Sequence, residues 1–573
     1  MTYRRFKHEA LLYSLAFLVA VGMRFIQLGA MPLTDAEAAP ALQALHISQS
    51  APTPLDPHPF YILSTSLAFL LYGGGTNFLA RFFPALVGSF LVLAPLLFDG
   101  RIKPRPGLLL AFFIALDPGL IAISRQAASP IFAIAFFVLT LGFLNRNNLS
   151  LAAFFAALTL LSGPSVWLGV LGFGIAWAIF QLFNRRVPSA DEQSSEGEKV
   201  SAESEARPFT VNIQPAIWIL FAASFLAAGT LFLTVPDGLG AAFASIPAFV
   251  GKWTQGSNLT PLIVAMSLVI YQPLALLLAV IASIRGWVKG SPRIIFLSVW
   301  LLVSLLLVVF LPARQMSDLV WTLIPMLILA ALEFARHFNI YADERREVLG
   351  VIFLTAFIWA FAWLGFAGLT WFPPESREYL IRFWMLIGSL VLLVLSLLLV
   401  AAGWSTRTAR IGGVWGLAIA LGSLGLGGAL GAAGLRGMNS PELWWQTSIP
   451  VQAELLRDSV DQLSEFATGD DNTSEVVIVR VKSPALEWVL RDHPIEVVET
   501  LSVTSAPDFV ITPFEMDPAL VSAYRGQDFS WNQNVMWDTA SSSIWFRWAT
   551  LREMPQVGDT IILWARDDLF IDN

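Results

Sequence analysis

The sequence predicts an α-helical polytopic membrane protein with about thirteen transmembrane helices and a small external C-terminal α/β domain. Three observations carry this. Hydrophobic residues fill 56% of the 573 positions and charged residues only 13%, with a mean hydropathy of +0.66. Apolar runs of roughly 20 residues, the length that crosses a bilayer, recur through most of the chain. Beyond position 436 they give way to alternating strand-like and helix-like segments. An ordinary soluble multidomain protein is excluded.

The first run, Leu11 to Leu28, follows Arg4, Arg5 and Lys7. It carries Arg24 and leads into further spans, so it reads as an anchored first helix and not as a cleaved signal peptide. Further runs begin near positions 78, 107, 130, 149, 165, 213, 261, 293, 319, 347, 379 and 413. The stretch from Tyr61 to Tyr72 is too short to span; bounded by His58, Pro59 and the glycines Gly73, Gly74 and Gly75, it suits a re-entrant or interfacial helix.

With that stretch not spanning and the N-terminus cytoplasmic, the basic loops all fall inside: Arg101, Lys103 and Arg105; Arg146; Arg185 and Arg186; Arg285, Lys289 and Arg293; Arg336, Arg345 and Arg346; Arg407 and Arg410. The expected organisation is therefore an N-terminal transmembrane module over 1–187 with its first external loop at 30–77, a disordered acidic cytoplasmic linker at 188–208, C-terminal transmembrane helices over 209–435, and an external soluble α/β domain over 436–573. The linker is rich in Ser, Glu and Ala without hydrophobic periodicity. In the last unit an amphipathic helix over Val451–Phe466 precedes strands at Glu475–Val481, Ile495–Glu499 and Asp508–Thr512, a helix around Ala485–Arg491 and a Trp-rich tail. The expected location is the plasma membrane, multi-pass, with the C-terminal domain extracellular.

A net charge of −7 offers no basic surface for nucleic acid, and the absence of cysteine removes disulfides, thiolate metal sites and cysteine nucleophiles. No nucleotide-binding or metalloprotease pattern occurs in a credible context. The chemistry-bearing residues lie instead around the first loop. Asp35, with Glu37 as a second acid, is placed to act as a general base beside a lipid headgroup; the bland alternative is that Asp35 or Thr34 caps the helix beginning there. Charges in or at the rim of spans are costly, so Arg24, Arg81 and Arg125 are candidates to hold a phosphate, or else they snorkel to the interface. Asp117, before Pro118, either joins the substrate site, satisfies freed backbone groups or pairs with an Arg. His58 is either packing or a direct participant. Glu333 reads as structural.

Arg24, the loop from Pro32 through Thr34, Asp35, Ala36 and Glu37 to Ala38, the run His58-Pro59-Phe60-Tyr61, the stretch from Asn77 through Arg81 to Gly88, and Pro118 through Arg125 to Ala127 together resemble the membrane glycosyltransferases of the GT-C superfamily. The motifs cover roughly the first 130 residues. The likeness is to the protein mannosyltransferase and aminoarabinose transferase group (glycosyltransferase family 39 type) and to bacterial and archaeal members that glycosylate cell surfaces; Ala485 to Asp492 and Tyr524 to Phe529 look like C-terminal segments of the latter. The resemblance implies an inverting enzyme that moves a sugar from a polyprenyl-phosphate donor to an acceptor glycan, lipid or protein at the external face. It implies Asp35 as base and Arg24, Arg81 and Arg125 around the carrier phosphate.

Two departures stand out: Ala36 separates Asp35 from Glu37 where many relatives have adjacent acids, and Gln126 stands where many have Glu. No metal and no cofactor are therefore expected. The tryptophans Trp531, Trp537, Trp545, Trp548 and Trp564 either stack on an acceptor, or pack the domain core or seat it at the membrane interface. The competing functions are a transporter or flippase of lipid-linked sugars and a non-catalytic assembly protein of the same fold.

Overall fold

Long apolar runs with few polar breaks form helices because a backbone in lipid must satisfy its hydrogen bonds internally. The computed structural model describes residues 2–98, 104–185, 214–257, 259–437, 440–445, 448–502, 506–516, 518 and 520–570, with the side chains of 2–7, 104, 184 and 185 left aside. The expected linker at 188–208, along with Arg101, Lys103 and Arg186, lies outside the described residues.

Among the described residues eight helices are long and apolar enough to cross a membrane, or ten if each of two bent pairs is one span. The bends fall at proline: the pair Arg105–Leu116 and Pro118–Ser124 turns by 56°, and Pro261–Tyr271 with Pro273–Val288 by 96°, because Pro removes a helix donor and crowds the preceding turn. Three further runs expected as spans are shorter helices, Pro130–Asn145, Leu149–Leu160 and Pro215–Gly229. A fifteen-residue helix over Asp237–Gly251 falls where no span is expected.

The first loop holds two helices. Asp35–Ser48 starts at Thr34, whose N–H and hydroxyl both donate to Glu37 Oε2 at 3.2 Å, the reciprocal arm of a capping box. Pro59–Tyr72 follows, burying Tyr61 and Phe69 while Leu70, Leu71 and Tyr72 remain exposed. It ends at Gly73, whose φ of 85° is the left-handed geometry that glycine adopts without a Cβ penalty.

After the last long helix, Thr406–Ala432, the chain builds a six-stranded mixed sheet. The strands are β1 (Ile449–Pro450), β2 (Val476–Val479), β3 (Ile495–Val498), β4 (Phe509–Pro513), β5 (Tyr524–Val535) and β6 (Gln556–Arg566), in the order β1-β5-β6-β4-β2-β3. β2 is parallel to β3 and β4; the other pairs are antiparallel. β2 is buried throughout and reads as an unbroken Val-Val-Ile-Val run, as a strand covered on both faces should. The amphipathic helix is Ala453–Thr468, and a short helix, Pro484–Val489, links β2 to β3. Trp531 and Trp548 are fully buried, and Trp537, Trp545 and Trp548 meet one another with ring centroids 5.2–5.6 Å apart. These rings pack the domain; they are not a row of open stacking platforms.

Candidate active site

A cavity of about 420 Å³ opens between the first loop and the segments that follow the Asp237–Gly251 and Pro292–Phe310 helices. Its polar wall includes Glu37, His58, Gln126, Lys252 and Asp318, and Trp444 and Trp445 form an aromatic side.

Glu37 is almost fully buried, and its oxygens are filled. Oε1 accepts from Arg81 Nε at 2.8 Å and from the Ala127 N–H at 2.8 Å; Oε2 accepts from Arg81 Nη2 at 2.7 Å and from Thr34. Burial opposes ionisation, but Arg81 and the donated hydrogen bonds outweigh it and hold the carboxyl below the usual carboxylate range. Glu37 is a fixed negative charge in the wall.

Lining the same cavity, Lys252 Nζ lies 3.3 Å from Asp318 Oδ1. Lys252 ends the Asp237–Gly251 helix, where a cation meets the exposed carbonyls and the negative end of the helix dipole. Asp318 Oδ2 accepts from the Gln315 N–H at 3.0 Å, closing the turn that starts the next helix. His58 Nδ1 shares a hydrogen bond with Ser129 Oγ at 2.7 Å. Burial pushes the His58 imidazole down to about 4; Asp56 pulls the other way and Lys252 adds to the depression. It is a neutral ring at pH 7.

Asp35 is placed differently. Its Oδ1 accepts from Ser483 Oγ at 2.6 Å and from the Ala485 N–H at 3.0 Å, at the start of the Pro484–Val489 helix of the C-terminal sheet domain. Ala36, beside it, lines the cavity, but Asp35 does not.

No family model matches this chain, and no curated protein sequence matches it. Among solved structures, the ArnT of Cupriavidus metallidurans bound to undecaprenyl phosphate superposes with a TM-score of 0.51 at 13% identity, covering 98% of each chain. The same ArnT in the apo state gives 0.50 at 12% identity over 97% of each. The chain has the GT-C fold. With that fold and its apolar helices it is a membrane protein.

The GT-C resemblance implies Asp35 as base and three arginines around a phosphate, and in the structure none of these four side chains lines the cavity. Asp35 and Glu37 stand two residues apart on a helix, about 200° around its axis, so only one of them faces the cavity. That one is Glu37. Most of the hydrogen bonds these arginines donate go to backbone carbonyls. All five N–H donors of Arg81 are used, on Glu37 and on the carbonyls of Leu28, Met31 and Pro32. Arg24, fully buried, donates to Ser124 Oγ and to the carbonyls of Ala20, Ile114 and Ala115, the last two at the end of a broken span. Arg125 gathers the carbonyls of Met23, Arg24, Ile26 and Gln27 where the first helix ends. A helix C-terminus leaves carbonyls without partners, and the guanidinium fork satisfies several at once. None of the three lines the cavity.

Asp117 caps the Pro118–Ser124 helix, accepting from the Leu120 N–H at 2.8 Å. Glu333 pairs with Arg285 at 2.5 Å. Gln126, in place of an acid, donates Nε2 to the Trp444 carbonyl at 2.7 Å, a bond that an ionised Glu has no proton to make. Among the described residues no three His, Asp or Glu side chains gather as metal ligands.

Lys252 and Asp318 are cavity residues that a reading of the first 130 positions misses. The signal for them is present in the sequence: each is a lone charge at the edge of an apolar run, the same criterion that singles out Arg24 and Arg125.

Proposed function

We propose that this protein is an inverting glycosyltransferase that takes a sugar from a polyprenyl-phosphate carrier and passes it to a glycan, lipid or protein acceptor at the external face of the membrane. The observation that carries the reading is a single cavity in a GT-C fold whose wall joins the fixed acid of the first loop, Glu37, to the Lys252–Asp318 pair. The undecaprenyl phosphate seen with ArnT is a ligand of the kind this cavity would take.

In this mechanism the bond between the anomeric carbon and the phosphate oxygen breaks as the acceptor oxygen attacks from the opposite side. The polyprenyl phosphate departs with the electron pair, and Lys252 stabilises its growing charge in a partly dehydrated wall. The acceptor proton passes to Asp318. Each Asp318 oxygen takes one hydrogen bond and keeps a lone pair open, whereas those of Glu37 are full.

The same reading takes the chain through about thirteen crossings with the N-terminus cytoplasmic. Two sets of contacts support it. The Asp35–Ser483 bond joins the first loop to the C-terminal sheet, as two pieces on one side of the membrane would require. Arg105 and Arg407, from loops assigned to the cytoplasm, meet on Asn339 at 2.5 and 3.0 Å.

A second reading, a non-catalytic protein that keeps the fold, is favoured by the engagement of Asp35 with Ser483. Purified protein in lipid nanodiscs with a labelled polyprenyl-phosphate sugar separates the two. Release of polyprenyl phosphate that falls about 10²- to 10⁴-fold in Asp318→Asn supports the enzyme. Donor binding without release at any acceptor overturns the transferase reading.

A further inference from the structure

We propose that the C-terminal sheet domain is a clamp on the first loop, and that Asp35 and Ser483 are positioning residues that hold the lip of the cavity in place. The docking helix Pro484–Val489 meets the first loop along its whole length. At one end, Ser483 and the Ala485 N–H hold Asp35 Oδ1. In the middle, Trp488 Nε1 donates to Asn77 Oδ1 at 2.7 Å, and its ring packs 5.8 Å from that of Phe69. At the other end, Arg491 Nε donates to the Gly75 carbonyl at 3.2 Å while its guanidinium lies 4.6 Å over the Trp488 ring. Gly75 is required there, because a Cβ would come within 2.8 Å of the Trp488 ring.

The clamp reaches the site through a rigid helix. Asp35 is flanked by Thr34 and Ala36, both of which line the cavity, and the same turn carries Glu37. Ser483 is itself fixed from behind, its Oγ accepting from Trp531 Nε1 at 3.2 Å in the core of the sheet domain. A chain of hydrogen bonds therefore runs from that core through Ser483 and Asp35 to the cavity lip. Both donors fall on one oxygen of Asp35, so an amide oxygen can replace it; a proton-accepting base cannot be replaced in this way.

The clamp is independent of the chemistry done in the cavity, although one arm of its test uses turnover and rests on the transferase reading. The full-length protein in nanodiscs is compared as wild type, Asp35→Asn, Asp35→Ala, Ser483→Ala and the double alanine variant. Readouts are amide hydrogen exchange over 34–48 and at Ala127, binding of undecaprenyl phosphate, and release of carrier. The expected result is that Asp35→Asn stays within about 3-fold of wild type in all three. Asp35→Ala and Ser483→Ala should each raise exchange at the lip and at Ala127 by about ten-fold and weaken carrier binding, and the double variant should be no worse than either alone. Exchange at the lip unchanged by Ser483→Ala overturns the clamp. Turnover lost in Asp35→Asn while exchange and binding hold overturns it in favour of Asp35 as base. If wild type shows no turnover, the transferase reading fails and the exchange and binding arms still decide the clamp.

Discussion

The Arg81 guanidinium donates to both carboxylate oxygens of Glu37, at 2.8 and 2.7 Å, with both side chains almost wholly buried. Removing one partner of a buried pair strands the other charge, at a cost of about 3–5 kcal/mol. Arg81→Met should therefore lower thermal stability sharply, and Arg81→Lys should recover little, because an ammonium cannot form the two-pronged contact or reach the carbonyls of Met31 and Pro32. The pair also fixes a pH dependence. The Glu37 carboxyl titrates below its ordinary 4.5 in the folded protein. Its contribution to stability is then complete above that value and is lost as pH falls through the depressed one. Melting curves of wild type and Glu37→Gln across the acid range should converge at the acid end; a constant gap between them would sink this account.

His58 acts over a different window. Its folded pKa is pushed down to about 4 from an ordinary 6.5, so between these values the unfolded chain binds a proton that the folded one resists. Stability should be highest above pH 6.5 and should fall toward pH 4, by at most about 1.4 kcal/mol per pH unit. His58→Gln keeps a hydrogen-bonding partner for Ser129 and should flatten that slope. The check is the denaturation midpoint as a function of pH.

Hydropathy makes most of the bundle legible, since the helices starting at Asn77, Pro130, Leu149, Ser165, Pro292, Arg345 and Arg377 begin within a few residues of their apolar runs. The Asp237–Gly251 helix is not legible in the same way. Pro236, Gly238, Gly240 and Pro247 interrupt its apolar pattern, and Lys252 is hidden with it. At the site, the sequence marks the neighbourhood but not the orientation. Which of Asp35 and Glu37 turns to the cavity depends on partners far away in the chain, Ser483 for one and Arg81 for the other. Likewise, a buried arginine announces that it needs acceptors. Whether those are carbonyls at a helix end or a phosphate is decided only by packing.

Lys252 and Asp318 give the most direct test of the cavity. Lys252→Ala leaves the Asp318 carboxylate buried without its cation, so it should cost more stability than the Lys252→Ala/Asp318→Asn double variant, which removes both charges. Both should bind undecaprenyl phosphate at least about ten-fold more weakly than wild type, since the phosphate loses a charge-assisted contact. Lys252→Arg keeps the charge and should retain part of the affinity. Equal binding by wild type and Lys252→Ala would remove Lys252 from the phosphate site.

Arg125 separates a structural guanidinium from a ligand-binding one. It donates to the carbonyls of Arg24, Ile26 and Gln27 at 3.0, 2.8 and 3.2 Å, and lies outside the cavity lining. A lysine at this position has three donors on one nitrogen and cannot spread them over the same carbonyls. The lost hydrogen bonds, each from a charged group and worth about 1.5–3 kcal/mol, should appear as a lower melting temperature in Arg125→Lys. Affinity for undecaprenyl phosphate, measured well below that melting temperature, should stay within about two-fold of wild type, because no contact with the cavity has changed. The reverse pattern, unchanged melting with weakened carrier binding, would return Arg125 to the phosphate and require the first helix to end by some other means.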